Sequence, residues 1–352
     1  MVSTVTRNAR QLRKVLAEND SMRPRDLAAA VGVSEADLVA AQVGQEVTRI
    51  VALPDALMPR LTALGPVTAL TRNESAVSEK TGVYDNYRPG DHAAMVLNEA
   101  IDLRIFPRSW VHGFAVERET DKGIRRSLQI FDAAGDAVHK VILPLDAEPA
   151  GWRALVEAVA TGDPSDYVAL EPRKPVEAAK ADPSKAETLR REWDRMSDSH
   201  QFLRLASKLK MNRLGAYRIA GKPYVRLLQP EALDLALEAL QAQAVPCMLF
   251  VGNRGCIQIH SGPLQTLKRM GSWQNVLDPD FNLHLRLDHV AEVWAVDKPT
   301  RRGKAVSIEA FDAQGALILQ LFGMRNDSVD HYPAFTEIVN GLPEGTAEEA
   351  LQ

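Results

Sequence analysis

The sequence repeats itself at a fixed offset of 180 residues. When residues 102–135 are aligned without a gap with residues 282–315, ten of 34 positions are identical. Unrelated segments of average composition would share about two. At 352 residues the chain is long enough for two domains of ordinary size. A duplicated domain is therefore the strongest constraint on the fold, and ligands commonly bind where domains meet.

Within each repeat, the apolar pattern changes from helical to strand-like. Residues 10–45 have a helical, alanine-rich pattern, and residues 66–145 have short alternating runs separated by turn residues. In the second half a helical stretch covers 185–242, strands cover 247–322, and a final helix covers 332–341. Runs of helices followed by runs of strands favour an α+β fold with a large, mainly antiparallel sheet in each repeat.

The boundary between the repeats is marked by composition. Four prolines and many alanine, lysine and glutamate residues lie within residues 163–186, which is the composition of a linker. We therefore predict a first repeat at 1–162, a linker at 163–186, and a second repeat at 187–352.

The overall composition is typical of a soluble globular protein, with 45% hydrophobic and 25% charged residues. The net charge of −4 gives no general attraction to nucleic acid or to an anionic membrane. The first eight residues lack the apolar segment of a secretory signal, and no apolar run approaches the roughly 18 residues that span a bilayer. The sequence has two cysteines, Cys247 and Cys256, which are too few for a disulfide framework and lack CxxC spacing. Together these features predict a cytoplasmic, reduced protein.

Five longer motifs extend over nearly the whole chain. They are RPRDLAAAVGVSE at 23–35, NEAIDLR at 98–104, GNRGCIQIH at 252–260, VWAVDKPT at 293–300 and FGMR at 322–325. Together they resemble the HemS/HmuS/ChuS family of cytoplasmic bacterial haem-utilisation proteins. The resemblance implies an internally duplicated α+β fold with haem b between the halves, and a role in receiving imported haem for iron acquisition.

His200 is the candidate iron ligand. Its spacing from Trp193, Met196 and Leu203 places it on one apolar stripe of a helix, where a lone histidine is more often a core residue than a ligand. His200 nevertheless matches the family's axial ligand, so the resemblance implies that its neutral imidazole binds the haem iron. Asp198, with glutamine three residues later, predicts a helix N-cap and places His200 in the first turn.

The resemblance assigns further roles to basic and pocket-lining residues. It places Arg104 opposite the second face of the iron, where a guanidinium cannot ligate the metal because it stays protonated but can donate hydrogen bonds. If the protein is an enzyme, Arg104 would be its distal catalytic residue. The alternative interpretation of Arg104 is an arginine on a strand surface. For the candidate propionate partners the alternative is a solvated surface charge. The implied partners of the haem propionates are Arg213, Lys298 and Arg325, and the implied pocket-lining residues are Gln320 and Phe250.

Alignment of the two halves also predicts how many sites the chain has. At an offset of 178 residues, Met22 lies opposite His200 and Glu35 lies opposite Arg213. The first half therefore lacks both the candidate ligand and one candidate cation. We predict one haem site per chain rather than two equivalent sites.

Three functions remain open from the sequence. The first is a haem carrier that delivers its ligand to a cytoplasmic acceptor or contacts the inner-membrane haem importer, as a monomer or homodimer. The second is an enzyme that opens the porphyrin with electrons from an external reductant, since no flavin or nicotinamide motif is present. The third is DNA binding through a helical hairpin at residues 25–38, which the acidic Glu35 and Asp37 disfavour.

Overall fold

The chain forms two compact units in the computed structural model. The structure describes residues 8–301, 303–325 and 330–346; residues 1–7, where the sequence predicts no signal peptide, lie outside this range. Each unit includes a short segment from the other half of the sequence. Unit 1 comprises Met1–Arg72, Ser78–Lys174 and Gly252–Gln258, and unit 2 comprises Asn73–Val77, Pro175–Val251 and Ile259–Gln352.

The first half of the sequence begins with short helices and continues into strands. Its α-helices are α1 (Ala9–Glu18), α2 (Pro24–Val31), α3 (Glu35–Ala40), α4 (Pro54–Leu61) and α5 (Pro149–Val159). Its strands are β1 (Val47–Ile50), β2 (Val67–Arg72), β3 (Ala76–Gly82), β4 (Tyr87–Arg88), β5 (Ala94–Leu97), β6 (Asp102–Ile105), β7 (His112–Thr120), β8 (Gly123–Phe131) and β9 (Ala137–Ile142).

The second half repeats this order. Its α-helices are α6 (Ala186–Asp194), α7 (Gln201–Lys208), α8 (Arg213–Ala220), α9 (Ala232–Ala242) and α10 (Tyr332–Gly341). Its strands are β10 (Val225–Leu228), β11 (Cys247–Gly252), β12 (Cys256–Gly262), β13 (Leu267–Met270), β14 (Trp273–Leu277), β15 (Phe281–Arg286), β16 (Glu292–Thr300), β17 (Gly303–Phe311) and β18 (Leu317–Gly323).

Each unit contains the same antiparallel strand arrangement. In unit 1 the neighbouring strands follow the order β1-β7-β8-β9-β2, and β4, β5 and β6 form a second group. In unit 2 the corresponding orders are β10-β16-β17-β18-β11 and β13-β14-β15. The α+β fold with mainly antiparallel sheets is confirmed.

The strand registers confirm the internal duplication. Phe114 pairs with Gln129 in the β7–β8 hairpin, and Trp294 pairs with Glu309 in the β16–β17 hairpin, so both partners are displaced by 180 residues. A register shift follows Ile130 in the first half and Ala310 in the second, again at the same offset. The two repeats therefore share the same strand pairing, including the position of the register shift.

In unit 2, helices pack on both faces of the strands β16 to β18. Apolar side chains of α9 and α10 pack on one face in a single cluster with strand residues. The other face has an aromatic cluster in which Trp193 of α6, Phe202 of α7 and Tyr217 of α8 contact one another. Trp294 of β16 extends this cluster through Tyr217. Helices α6 to α8 are thereby positioned on the face that also holds most of the candidate site.

Two short strands differ from the sequence prediction. Val225–Leu228 is strand β10 within the region 185–242 that we expected to be helical, and β1 likewise precedes the predicted sheet region. Four-residue runs are too short for periodicity to distinguish helix from strand. The predicted helices at 10–45 and 332–341 are confirmed, and the described residues 161–182 contain neither helix nor strand.

The helical hairpin considered for DNA binding is packed into unit 1. Its second helix, α3, has six residues, and five of them, including the acidic Glu35, are buried. A recognition helix must expose a face to the major groove. The structure therefore favours a helical hairpin that packs within unit 1 over a DNA-binding hairpin. The acidic side chains of Glu35 and Asp37 already disfavoured DNA binding.

Candidate functional site

His200 lies at the N-cap of α7 with its side chain 93% exposed. The helix begins at Gln201, so the predicted N-cap at Asp198 is wrong. The expected apolar stripe is also interrupted, because α6 ends at Asp194 and a loop precedes α7. As a result Trp193 is buried in the core, whereas His200 is in solvent. The interpretation of His200 as a satisfied core histidine is therefore wrong.

The carboxylate of Asp198 holds the His200 side chain. Oδ1 of Asp198 lies 2.6 Å from Nδ1 of His200 and accepts a second hydrogen bond, 2.8 Å long, from the His200 backbone N–H. The backbone hydrogen bond and then the side-chain one lower the pKa of Asp198. Because Nδ1 is occupied by this contact, Nε2 is the ring nitrogen left for a metal.

The surface around His200 has both apolar and polar parts. Leu203, one turn along α7, is 54% exposed although it is a large apolar side chain. A pocket of about 430 Å³ lies beside the loop and is lined by Ser197, Asp198, Ser199, Gln201, Thr300 and Arg301. This polar lining does not suit the face of a porphyrin, so the pocket itself is not the candidate haem cavity.

A buried carboxylate brings two of the candidate cations together. Oε1 of Glu309 accepts hydrogen bonds from Lys298 Nζ at 2.6 Å and from Ser307 Oγ at 3.0 Å. Oε2 accepts one from Arg213 Nη1 at 2.6 Å. Lys298 also donates to the hydroxyl of Tyr217 at 3.0 Å. Glu309 is fully buried and Lys298 is 3% exposed, so a solvated surface charge is wrong for Lys298.

The cluster combines two cations with one carboxylate and has one surplus positive charge. Burial alone raises the pKa of Glu309, but Lys298 and Arg213 together hold it well below its usual range. Burial lowers the pKa of Lys298 despite the attraction of Glu309. Burial also lowers the pKa of Arg213, yet the attraction of Glu309 outweighs it and the net shift is upward. Glu309 and Arg213 are therefore ionised at neutral pH, and Lys298 lies within hydrogen-bond distance of the same carboxylate.

Gln320 and Phe250 lie in the same cross-strand row as Glu309. Glu309 of β17 pairs with Gln320 of β18, and Gln320 pairs with Phe250 of β11. Side chains of paired residues point to the same face of a sheet. Gln320, Phe250 and the neighbouring Phe322 are half-buried, and the two phenyl rings meet edge to face with centroids 5.2 Å apart. The structure thus unites Arg213, Gln320 and Phe250 with buried Lys298 beneath one partly exposed face.

Arg325 follows β18 and forms an isolated antiparallel β-bridge with Asp330. Its Nε is 3.1 Å from Oδ1 of Asp330, and its guanidinium lies 4.7 Å from the centroid of the Tyr332 ring. The side chain is 26% exposed, so it is accessible to a ligand while its position is fixed by these contacts. A role in binding a propionate stays a prediction for Arg325, as it does for Arg213 and Lys298.

Arg104 is the one candidate in unit 1. It lies on β6 opposite Met95 of β5, and its guanidinium forms an ion pair with Asp102 two residues earlier. Alternate residues Leu103 and Ile105 point into the core, so Arg104 lies on the outer face of this strand group. This placement matches the strand-surface alternative, and a distal role for Arg104 stays a prediction.

Three contributors were not predicted from the sequence. Glu309 is the counter-charge of the cluster, Tyr217 accepts from Lys298, and Asp198 binds His200 rather than capping α7. A glutamate within the apolar run of β17 conflicts with the local pattern, and such conflicts tend to mark functional or specially paired positions. This conflict with the apolar pattern was the sequence signal from which a special role for Glu309 could have been predicted.

The donor set fits haem better than a bare metal ion. Among the residues that the structure describes, no group of three histidine, cysteine, aspartate or glutamate side chains could hold a metal. Haem iron needs only one protein ligand, together with apolar surface and cations for the propionates. Unit 2 supplies an exposed imidazole, half-buried phenylalanines and a cationic cluster.

No helix within the described ranges is long and apolar enough to cross a membrane.

Comparison with known proteins identifies relatives along nearly the whole chain. The hemin transport protein HmuS of Yersinia pestis is 36% identical over 88% of this chain and 90% of its own length. Holo-PhuS, a heme-binding protein from Pseudomonas aeruginosa, matches with a TM-score of 0.90 and 39% identity over 96% of this chain and 98% of its own. ChuS, described as an E. coli heme oxygenase, matches with a TM-score of 0.84 and 30% identity over 94% and 98%.

The family model matches the two repeats separately along the sequence. The model described as the haemin-degrading HemS.ChuX domain covers residues 32–159 and 210–342, which are the helix-and-sheet parts of the two halves. These matches agree with the repeat offset and with the strand registers. The chain is a member of the haemin-degrading HemS.ChuX family, as its sequence motifs predicted.

Proposed function

We propose that this protein binds one haem b per chain through Nε2 of His200 and delivers it to a downstream acceptor in the cytoplasm. The observation that supports it most is the exposed imidazole of His200, whose Nδ1 is already bonded to Asp198. A neutral imidazole in this state has its remaining lone pair on Nε2, as ligation requires. Family membership supports haem as the ligand.

The other residues would bind the periphery of the haem. The cluster of Arg213, Lys298 and Glu309 has surplus positive charge, and this favours anionic propionates. Arg325 would add a third cation, and Phe250 with Gln320 would line the pocket. Arg104 would donate hydrogen bonds on the second face of the iron. The haem itself supplies an iron centre whose coordination chemistry its protein partners tune.

Binding to a single site per chain follows from the differences between the repeats. The position of His200 is occupied by Met22 in the first half, and the position of Arg213 is occupied by Glu35. Glu35 is buried and forms an ion pair with Lys140, so this cluster has no surplus charge. We therefore expect a stoichiometry of one haem per chain.

Oxidative haem degradation is the second candidate. It is favoured by the match to ChuS, which is described as a heme oxygenase, and by the haemin-degrading description of the family. In that case haem is the substrate, Arg104 is the distal catalytic residue, and an external reductant supplies the electrons. Both candidates use the same binding residues, so binding and turnover must be measured separately.

Anaerobic hemin titration, followed by the Soret band, tests the binding site. We expect saturation at one haem per chain in the wild type and a weakened, spectrally altered complex in His200→Ala. Identical spectra and affinities for both proteins would contradict the proposed ligand.

Ascorbate and air, added to the complex with catalase present, then separate carriage from degradation. Survival of the Soret band, followed by transfer of the haem to apomyoglobin as a stand-in acceptor, supports carriage. Bleaching with release of iron supports the enzymatic alternative.

A further inference from the structure

The backbone of the loop before α7 is held by hydrogen bonds on both sides of Asp198. Ser197 N–H donates to Oε1 of Gln201 at 2.9 Å, and Arg301 N–H donates to the carbonyl of Ser197 at 3.0 Å. The backbone N–H of Gln201 also bonds to the carbonyl of Asp198 at 3.1 Å. The next residue, Phe202, is buried in the aromatic cluster. The backbone on both sides of Asp198 is thus hydrogen-bonded, while the Asp198 side chain is 57% exposed.

One oxygen of Asp198 determines two properties of His200. It accepts the backbone N–H of His200 in a turn just before α7, and it lies 2.6 Å from the ring Nδ1. An anionic acceptor at this distance requires a proton on Nδ1, so it selects the tautomer with the free lone pair on Nε2. It also gives the ring partial imidazolate character, which strengthens donation to a metal.

We infer that Asp198 is a positioning residue that selects the ligating tautomer of His200 and strengthens its bond to ferric iron. This inference rests on the proposed function, because it requires His200 to bind haem. Stronger donation stabilises Fe(III) relative to Fe(II), so Asp198 lowers the reduction potential of bound haem. With a weaker acceptor at this position, donation from His200 would fall and the reduction potential of bound haem would rise.

The test compares Asp198→Asn, Asp198→Ala and Asp194→Asn. Asparagine at 198 retains an oxygen acceptor but removes its charge, whereas alanine removes the acceptor. Asp194 is the matched control, because it is exposed, lies near the same loop, and bonds to Tyr224 at 2.9 Å. The readouts are the hemin dissociation constant, the reduction potential, and the iron–histidine stretching frequency of the ferrous complex by resonance Raman.

We expect Asp198→Asn to raise the potential and lower the stretching frequency, and Asp198→Ala to weaken hemin binding about 10- to 100-fold. The Asp194→Asn control should match the wild type in all three readouts. Wild-type values in both Asp198 variants would overturn the inference, as would an equal shift in the control. His200→Ala, measured in parallel, separates the two claims: loss of the iron–histidine band there keeps His200 as the ligand, whereas unchanged spectra overturn the ligand assignment and the role of Asp198 together.

Discussion

The two units use the same scaffold but organise their buried charges differently. In unit 1, Glu35 of α3 pairs with Lys140 of β9, one anion with one cation. In unit 2, the position of Glu35 is taken by Arg213, which pairs with Glu309 of β17 together with Lys298. The strand registers around these residues differ by a constant 180. Duplication has therefore preserved the backbone pairing, while the charges on it have been rearranged.

This difference separates what the fold needs from what a ligand needs. A neutral pair is sufficient to satisfy buried charges in unit 1. In unit 2 the cluster has two basic side chains for one carboxylate, below the face with half-buried Phe250 and Gln320. An uncompensated buried cation is costly for folding alone. A binding role for anionic propionates gives a physical reason why, among the described residues, unit 2 has this cluster where unit 1 has the Glu35–Lys140 pair.

The largest expected effect is on the stability of unit 2. Glu309→Gln leaves Lys298 buried without a counter-charge, which should lower the free energy of unfolding by about 3–5 kcal/mol. The matched change in unit 1 is Glu35→Gln, where Lys140 is 14% exposed and can approach water. We expect a smaller loss there, about 1–3 kcal/mol. Urea unfolding followed by tryptophan fluorescence measures both, and equal losses would contradict the comparison.

The stabilisation from Glu309 should disappear in acid. Its folded-state pKa is depressed, so the contribution is complete above the unfolded pKa of roughly 4.3 and is lost as the pH falls below that value. The difference in unfolding free energy between the wild type and Glu309→Gln should therefore narrow between pH 5 and pH 3. Urea titrations at several pH values measure the difference, and a constant gap would show that the charge of Glu309 is not its source.

Unit 1 should weaken at a higher pH than unit 2, because of a buried histidine. His139 donates or accepts hydrogen bonds with Thr71 at 2.8 Å and Tyr84 at 2.6 Å, and burial lowers its pKa to about 3. Its unfolded pKa is near 6.5, so the unfolded state gains a proton first and stability falls as pH drops through that value. The loss should reach roughly 2 kcal/mol at pH 5.

The control for this effect is His139→Gln, which cannot titrate in this range. Its unfolding free energy should be lower than that of the wild type at pH 7 but should change less between pH 7 and pH 5. If both proteins show the same pH dependence, protonation of His139 does not account for it.

The smallest expected effect is on haem stoichiometry. Met22→His restores a histidine at the position equivalent to His200, and Met22 is exposed, so the change should not disturb the core. We still expect one haem per chain, because the Glu35–Lys140 pair offers no surplus cation. Hemin titration measures the stoichiometry. A second tight site would show that the ligand alone, and not the charge arrangement, distinguishes the repeats.

Much of the fold could be predicted because its information is local or repeated. The 180-residue offset predicted the duplication, and the hairpin at Ser127–Leu143 follows from alternation and a turn. Strands β1 and β10 were missed because tertiary pairing, rather than local pattern, defines four-residue strands. The family motifs predicted which residues to examine, and family membership is confirmed.

The arrangement of the site could not be predicted to the same extent. Arg213 meets Glu309 across 96 residues of sequence, a contact that only the folded packing of α8 on β17 creates. From the sequence Lys298 could have been a solvated surface charge, yet its Nζ lies 5.2 Å from the ring centroid of Phe202 and 5.4 Å from that of Tyr217. Asp198 is only two residues from His200, but its geometry depends on where α7 begins.

The most direct test of iron ligation by His200 removes its side chain and then adds free imidazole from solution. His200→Gly should lose the imidazole-ligated spectrum of bound hemin, and added imidazole should restore it, while Met22→Gly should match the wild type throughout. This result would locate iron ligation in unit 2, at the loop before α7. A His200→Gly complex with the wild-type spectrum and no response to imidazole would contradict the central claim.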